Sequence, residues 1–248
     1  MGAPPRLYGL KALVTNAGNG IGEAISRTLI KHGTTVLAVD TGNSGVEQHF
    51  ASVKGIEGHS SSLTDARRMP ALIEEAVERL GGIDILINEF PLHAEAPLSD
   101  GDTKLDRLLE SRADLITSVC RSALPHLKKS PAGRIINIGF LRSIFAADGV
   151  EAFARSEQSL AALTRALGAE TGEFGITANY IQPGAIMTPT SREVFRKDKA
   201  LRDFCISNSA ARRLGEPVDV AKVALFLASD DAVFVSGTGV SVDGGHKS

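Results

Sequence analysis

The sequence predicts an α/β domain built on a parallel sheet that is buried on both faces. Short apolar runs rich in β-branched residues are nearly continuous, without the apolar–polar alternation of a sheet with one wet face. Each is followed by a segment of helical periodicity, and the alternation runs through all 248 residues with no linker, repeat or low-complexity stretch. These observations together predict one domain, residues 1–248.

The elements follow in order. KALVT (11–15) reads as the first strand, and GIGEAISRTLIKHG (20–33) as a helix stopped by Gly33. TTVLAVD (34–40) is the next strand, followed by a polar loop. LTDARRMPALIEEAVERLGG (63–82) starts a helix at a Thr64 or Asp65 cap and ends it at Gly81-Gly82. IDILIN (83–88) and GRIINIG (133–139) are strands on either side of a long helical region, 103–129. A helix at 151–171, a strand at 176–184, a helix at 217–229 and the run GVSVDGG (239–245) complete the series. Residues 188–212 form a variable loop-helix region.

Composition narrows the function classes. With 43% apolar and 23% charged residues and a net charge of −2, nothing points to a nucleic-acid partner. The longest apolar stretches are too short for a membrane span, and MGAPPRLYGLK has no signal-peptide core. Cys120 and Cys205 have neither CxxC nor metal-ligand spacing, so no metal site is expected and a reducing compartment is the simpler reading. A cytoplasmic protein is expected.

The strongest motif is the first strand–helix turn, VTNAGNGIGEA. Glycines at 18, 20 and 22 leave room for a backbone to approach a pyrophosphate, and the helix start offers free N–H groups. Asp40 ends the second strand about 20 residues on, where a carboxylate accepts from a ribose diol and repels a 2′-phosphate. The following TGNS holds no base to welcome that phosphate. The pair points to NAD in preference to NADP.

These residues bring a family into view. TNAGNGIG (15–22) resembles the TGxxxGxG of the short-chain dehydrogenases/reductases, with Asn16 for the first glycine; PGAIMT (183–188) and VDGG (242–245) match the family's PGxxxT and closing motif. The resemblance covers nearly the whole chain. It implies a Rossmann fold, a doubly wound parallel sheet of about seven strands with one cofactor site at the strand C-termini. It places the cofactor against Asn16, Asn19, Gly20, Ile21 and Gly22, then Asp40, Ser62, Leu63 and Asn88, and finally Pro183, Gly184, Ile186 and Thr188.

The same resemblance exposes four departures. The family's catalytic asparagine, serine, tyrosine and lysine fall on Asp114, Phe140, Phe153 and Glu157. Phe153 has no proton to exchange, Phe140 cannot support an oxyanion, and Glu157 reverses the charge that would favour a phenolate. The family's NNAG falls on NEFP (88–91), where Phe90 adds bulk and Pro91 removes a backbone donor. The expected function is therefore an NAD(H)-binding family member whose standard alcohol–ketone chemistry is lost or strongly altered.

Two alternatives stay open: an NAD-dependent oxidoreductase with rearranged acid–base groups, and a non-redox enzyme using Glu157, Asp114 and Glu151. Ser143, Tyr180 and His93 are weaker substitutes, each with a simpler structural explanation. Glu157 is expected to pair with Arg155, Arg142 or a neighbouring chain. By resemblance the long helices pack across a two-fold, and Leu160, Ala161, Leu163, Ala166 and Leu167 offer more apolar surface than one core face needs. A homotetramer is expected, with a dimer as second choice.

Overall fold

The computed structural model describes residues 7–90 and 97–246. Seven parallel strands form one sheet: β1 (Lys11–Thr15), β2 (Thr35–Asp40), β3 (Ile56–Ser60), β4 (Ile85–Asn88), β5 (Arg134–Ile138), β6 (Thr177–Pro183) and β7 (Gly239–Val242), in the order 3-2-1-4-5-6-7. The helices are α1 (Gly20–Lys31), α2 (Val46–Phe50), α3 (Met69–Leu80), α4 (Lys104–Leu127), α5 (Val150–Thr171), α6 (Pro189–Lys197), α7 (Lys199–Asn208) and α8 (Pro217–Ala228). No helix among the described residues is long and apolar enough to cross a membrane.

The period-2 geometry of each strand sends its side chains to two apolar layers. In β1, Ala12 and Val14 join Ile21, Ile25 and Leu29 of α1 and Val220, Ala224 and Leu227 of α8 on one face. Leu13 points the other way, into the layer shared by Ile73 of α3, Val119 of α4 and Leu160 of α5. The inner strands β1, β2, β4, β5 and β6 lack a polar face because both of their faces are covered. The strand order reverses between β1 and β4, and in open α/β sheets ligands bind in the crevice at such a point.

The stretch between β2 and α3 is not a plain polar loop. It contains α2 and β3, whose IEGHS sequence has one buried apolar residue, Ile56. This edge strand pairs only with β2, so it needs no continuous apolar run and leaves no such signal in the sequence. Gly58 lets it lie under α2, since a Cβ there would sit 2.3 Å from the Val46 carbonyl oxygen.

The apolar stripe of helix α5 is largely covered within the chain. Leu160, Ala161 and Leu167 are buried within the chain and Leu163 is half-buried, leaving Ala166 exposed. Among the large apolar side chains left open are Val218 and Phe226 of α8 and Val233 and Phe234, the last fully exposed.

Gly58→Ala should destabilise the fold by about 1–3 kcal/mol, because backbone must move to admit the methyl group. Thermal denaturation should show a drop of roughly 2–4 °C for each kcal/mol. Gly42→Ala, where a Cβ meets nothing within 4 Å, should leave the midpoint nearly unchanged. Equal midpoints for the two variants would refute the packing argument.

Candidate functional site

A cleft of about 310 Å³ opens at the C-terminal ends of β1, β2, β4 and β5, at the point where the strand order reverses. The glycine turn forms one wall. Asn16 takes the left-handed conformation (φ 52°), and Gly20 does so too (φ 61°), which excludes most side chains at these positions. Gly22 brings α1 against the end of β1: a Cβ there would lie 2.4 Å from the Asn16 carbonyl oxygen. Asn16, Asn19, Gly20 and Ile21 all line the cleft, as do Asp40 and Thr188.

Asp40 holds this wall in place. Its Oδ2 accepts from the Gly18 N–H at 2.7 Å and its Oδ1 from the Thr41 N–H at 2.6 Å, and the residue is 3% exposed. A Cβ on Gly18 would fall 2.6 Å from that carboxylate. Gly18 is therefore required by the protein's own Asp40, whatever else binds. Thr188 caps α6 by accepting from the Ser191 N–H and faces Gly20 across the cleft, where a Gly20 Cβ would lie 3.4 Å from it.

Other sequence-selected positions lie outside the cleft lining. Leu63 is fully buried in the apolar layer with Met69 and Ile73, and Ser62 reaches only Thr64. Asn88 donates to Asn137 Oδ1 at 2.9 Å, and Asn137 donates on to Thr164, a buried tie between β4, β5 and α5. Pro183 and Gly184 pair the end of β6 to β7, with a Gly184 Cβ excluded by Asp243. Ile186 is 1% exposed and packs in the core. Pro91 and His93 lie outside the described residues.

Where the family's catalytic groups are expected, the chain has built an apolar cluster. Phe145 packs between Phe140, at 6.5 Å, and Phe153, at 5.3 Å between ring centroids, with Leu98, Leu105 and Ala152 around them. Phe140 lines the cleft and Phe153 does not. Glu157 accepts a long hydrogen bond, 3.5 Å, from the Tyr180 hydroxyl, and Arg155 is instead bonded to Asp106. Burial and then the Glu157 carboxylate push the Tyr180 pKa up, so it is a poor proton donor. Asp114 and Glu151 are exposed, and with Glu157 they stay outside the cleft lining. The carboxylate cluster of the non-redox alternative does not form at the cleft. Ser143 is buried against Ser191 at 2.7 Å and is likewise not presented there.

Two residues that sequence reasoning passed over do face the cleft. Arg112, not Asp114, is the charged side chain that α4 sends into it; its guanidinium lies 4.1 Å over the Phe140 ring and donates to the Ile138 carbonyl. Glu89, at the end of β4, has its carboxyl beside the Asn16 side chain and the Gly22 N–H. Burial pushes its pKa up to about 8, helped by the Asp40 charge and opposed by Asn16 and Arg112. Burial also lowers Arg112 to about 10. The signal for Glu89 is its place in NEFP, directly after the strand; spacing along α4 carries no signal for Arg112.

Because Asp40 satisfies two backbone donors of the protein itself, Asp40→Ala should lower stability by about 1–3 kcal/mol with no ligand present. Urea denaturation of the ligand-free variant measures this, and Asp40→Asn, which keeps one acceptor, should lose less. An unchanged midpoint for Asp40→Ala would show that the carboxylate does not hold the turn.

Comparison with known proteins agrees with this architecture. Residues 16–247 match the family model described as enoyl-(acyl carrier protein) reductase. The chain is 28% identical over 245 residues to the 3-oxoacyl-[acyl-carrier-protein] reductase FabG of Thermotoga maritima, covering 97% of this chain and 98% of the relative. It is 30% identical over 254 residues to the oxidoreductase UcpA of Escherichia coli K12, covering 97% and 95%. It is 31% identical over 255 residues to the L-fucose dehydrogenase of Mus musculus, covering 100% and 92%. With its glycine turn, its strand order and these full-length similarities, the chain belongs to the short-chain dehydrogenase/reductase family.

Proposed function

We propose that this chain binds NAD(H) in the cleft and has lost the standard Ser-Tyr-Lys alcohol–ketone chemistry of its family. The observation that carries the reading is the Phe140–Phe145–Phe153 cluster standing where a hydroxyl pair is needed. No side chain there can give or take a proton.

The fit to a dinucleotide is uneven along the cleft. At the adenosine end, Gly20 and Gly22 open the helix without side chains of their own, and Asp40 has lone pairs beyond the two N–H bonds it accepts. Thr41, Asn43 and Ser44 continue that wall without a cation, which favours NAD over NADP. At the other end, Phe140 and the Arg112 guanidinium on its face would stand beside the nicotinamide. When bound, the cofactor supplies hydride chemistry; this chain's own residues supply the cradle and an apolar wall. The second reading, rearranged acid–base catalysis, draws support from one observation, the titratable Glu89 in the cleft.

We also propose a homotetramer in the cytoplasm, with a dimer as second choice. The exposed Val218, Phe226, Val233 and Phe234 beside β7 support a covered face at that end of the sheet. Sedimentation giving a clean monomer would refute both assemblies.

Calorimetric titration should give saturable binding of NADH and much weaker binding of NADPH; no heat with either, from folded protein, would overturn the cofactor reading. The double variant Phe153→Tyr with Glu157→Lys should not restore ketone reduction, because Phe140 leaves the oxyanion unsupported. Robust turnover of simple ketones by that variant would contradict the proposal.

A further inference from the structure

The cleft holds two opposite charges that do not pair with each other. Arg112 is 7% exposed, its Nε lacks a hydrogen-bond partner, and no carboxylate among the described residues comes within ion-pair distance of it. Glu89 is half-buried, and its Oε2 is closed off from solvent with no partner among the described residues. The other groups facing Glu89 are Asp40 from the end of β2, a second acid, and the uncharged Asn16 side chain and Gly22 N–H from the turn and the start of α1. Ile138, Gly139 and Phe140 of β5 and its following loop, and Thr188 and Thr190 beside α6, add no charge.

This arrangement sets up a competition. The Gly22 N–H belongs to the helix start where an anionic diphosphate is expected to dock, and the Glu89 carboxyl already lies beside it. An ionised Glu89 next to Asp40 would place two carboxylates against the diphosphate in a partly desolvated cleft, where like charges repel strongly. Among the described residues lining the cleft, Arg112 is the one cation, and it can serve either Glu89 or the ligand. A neutral Glu89 removes the repulsion and leaves Arg112 free for the ligand.

Resting on the cofactor reading above, we propose that dinucleotide binding in this chain is proton-coupled: the anionic cofactor is bound together with a proton held on the Glu89 carboxyl. The buried carboxyl is suited to this, since it titrates near the physiological range at about 8. The sign follows from linkage. Below that value Glu89 already carries its proton and affinity is flat; above it, each binding event must take up a proton, and affinity falls as pH rises.

The test is calorimetric titration with NADH at pH about 7 and about 9, each in two buffers of different ionisation enthalpy, so that proton uptake is read directly. NADH is the probe because the 2′-phosphate of NADPH itself titrates near pH about 6. At pH about 9 the native chain should take up close to one proton per NADH and bind about tenfold more weakly than at pH about 7. Glu89→Gln, close to isosteric and unable to ionise, should bind equally tightly at both pH values with no proton uptake. Saturable binding without pH dependence or proton uptake in the native chain would overturn this proposal while leaving the cofactor reading intact. So would a pH dependence that persists in Glu89→Gln. No saturable heat from either protein at either pH would overturn both.

Discussion

Helix α1 approaches the end of β1 so closely that only a glycine at position 22 fits, its Cα hydrogen facing the Asn16 carbonyl. That contact holds the chain between them in a tight turn with left-handed residues at Asn16 and Gly20, and the Gly22 N–H lies beside the Glu89 carboxyl. Asp40 then fastens the turn to β2 through the Gly18 N–H. Everything said of the site depends on this clamp. It sets the cleft's width, brings Glu89 beside Asn16, and places Thr188 opposite Gly20.

The same clamp changes the meaning of residues that look like ligand contacts. Gly18 makes room for Asp40, Gly184 makes room for Asp243, and Asn88 ties two strands to α5. Their presence is what the fold itself demands, so they would persist in a member of the family that had abandoned its chemistry. The substituted positions are more informative. Three phenylalanines close on one another, and Glu157 turns to Tyr180, so this corner is satisfied internally. Polar need has instead moved to the cleft floor, where Glu89 and Arg112 each keep a buried atom without a partner. Buried polar groups of this kind are costly to leave unmet, which is why this part of the cleft is where a ligand's polar groups are best sought.

Several features were legible in the sequence because they rest on local physics. Apolar runs, helical periodicity and glycine stops located β1, β2, β4, β5, β6 and the helices α1, α4, α5 and α8 to within a residue or two; β7 was found by its start and ends three residues earlier than its run. The glycine turn and Asp40 were found by spacing, since the geometry of a strand–helix turn demands those residue types at those intervals. The family's motifs could be read position by position. Edge strand β3 left no such mark, because an edge strand with a glycine under a helix needs neither apolar continuity nor alternation.

What tertiary structure alone decided is which side chains share a space. Asp114 faces solvent while Arg112, two residues earlier on α4, lies over Phe140; spacing along the chain does not say which of the two enters the cleft. Glu157 had several basic neighbours in sequence and found a tyrosine on β6 instead. The apolar stripe of α5 could have faced a partner, and it faces its own sheet. The sequence by itself determined the fold and which residue types stand at the family's motif positions, because both follow from residue type at fixed local positions. The cleft's remaining charges became visible only when α4, β4 and the glycine turn were brought together, because the pairing of buried charges depends on distances that no local rule sets.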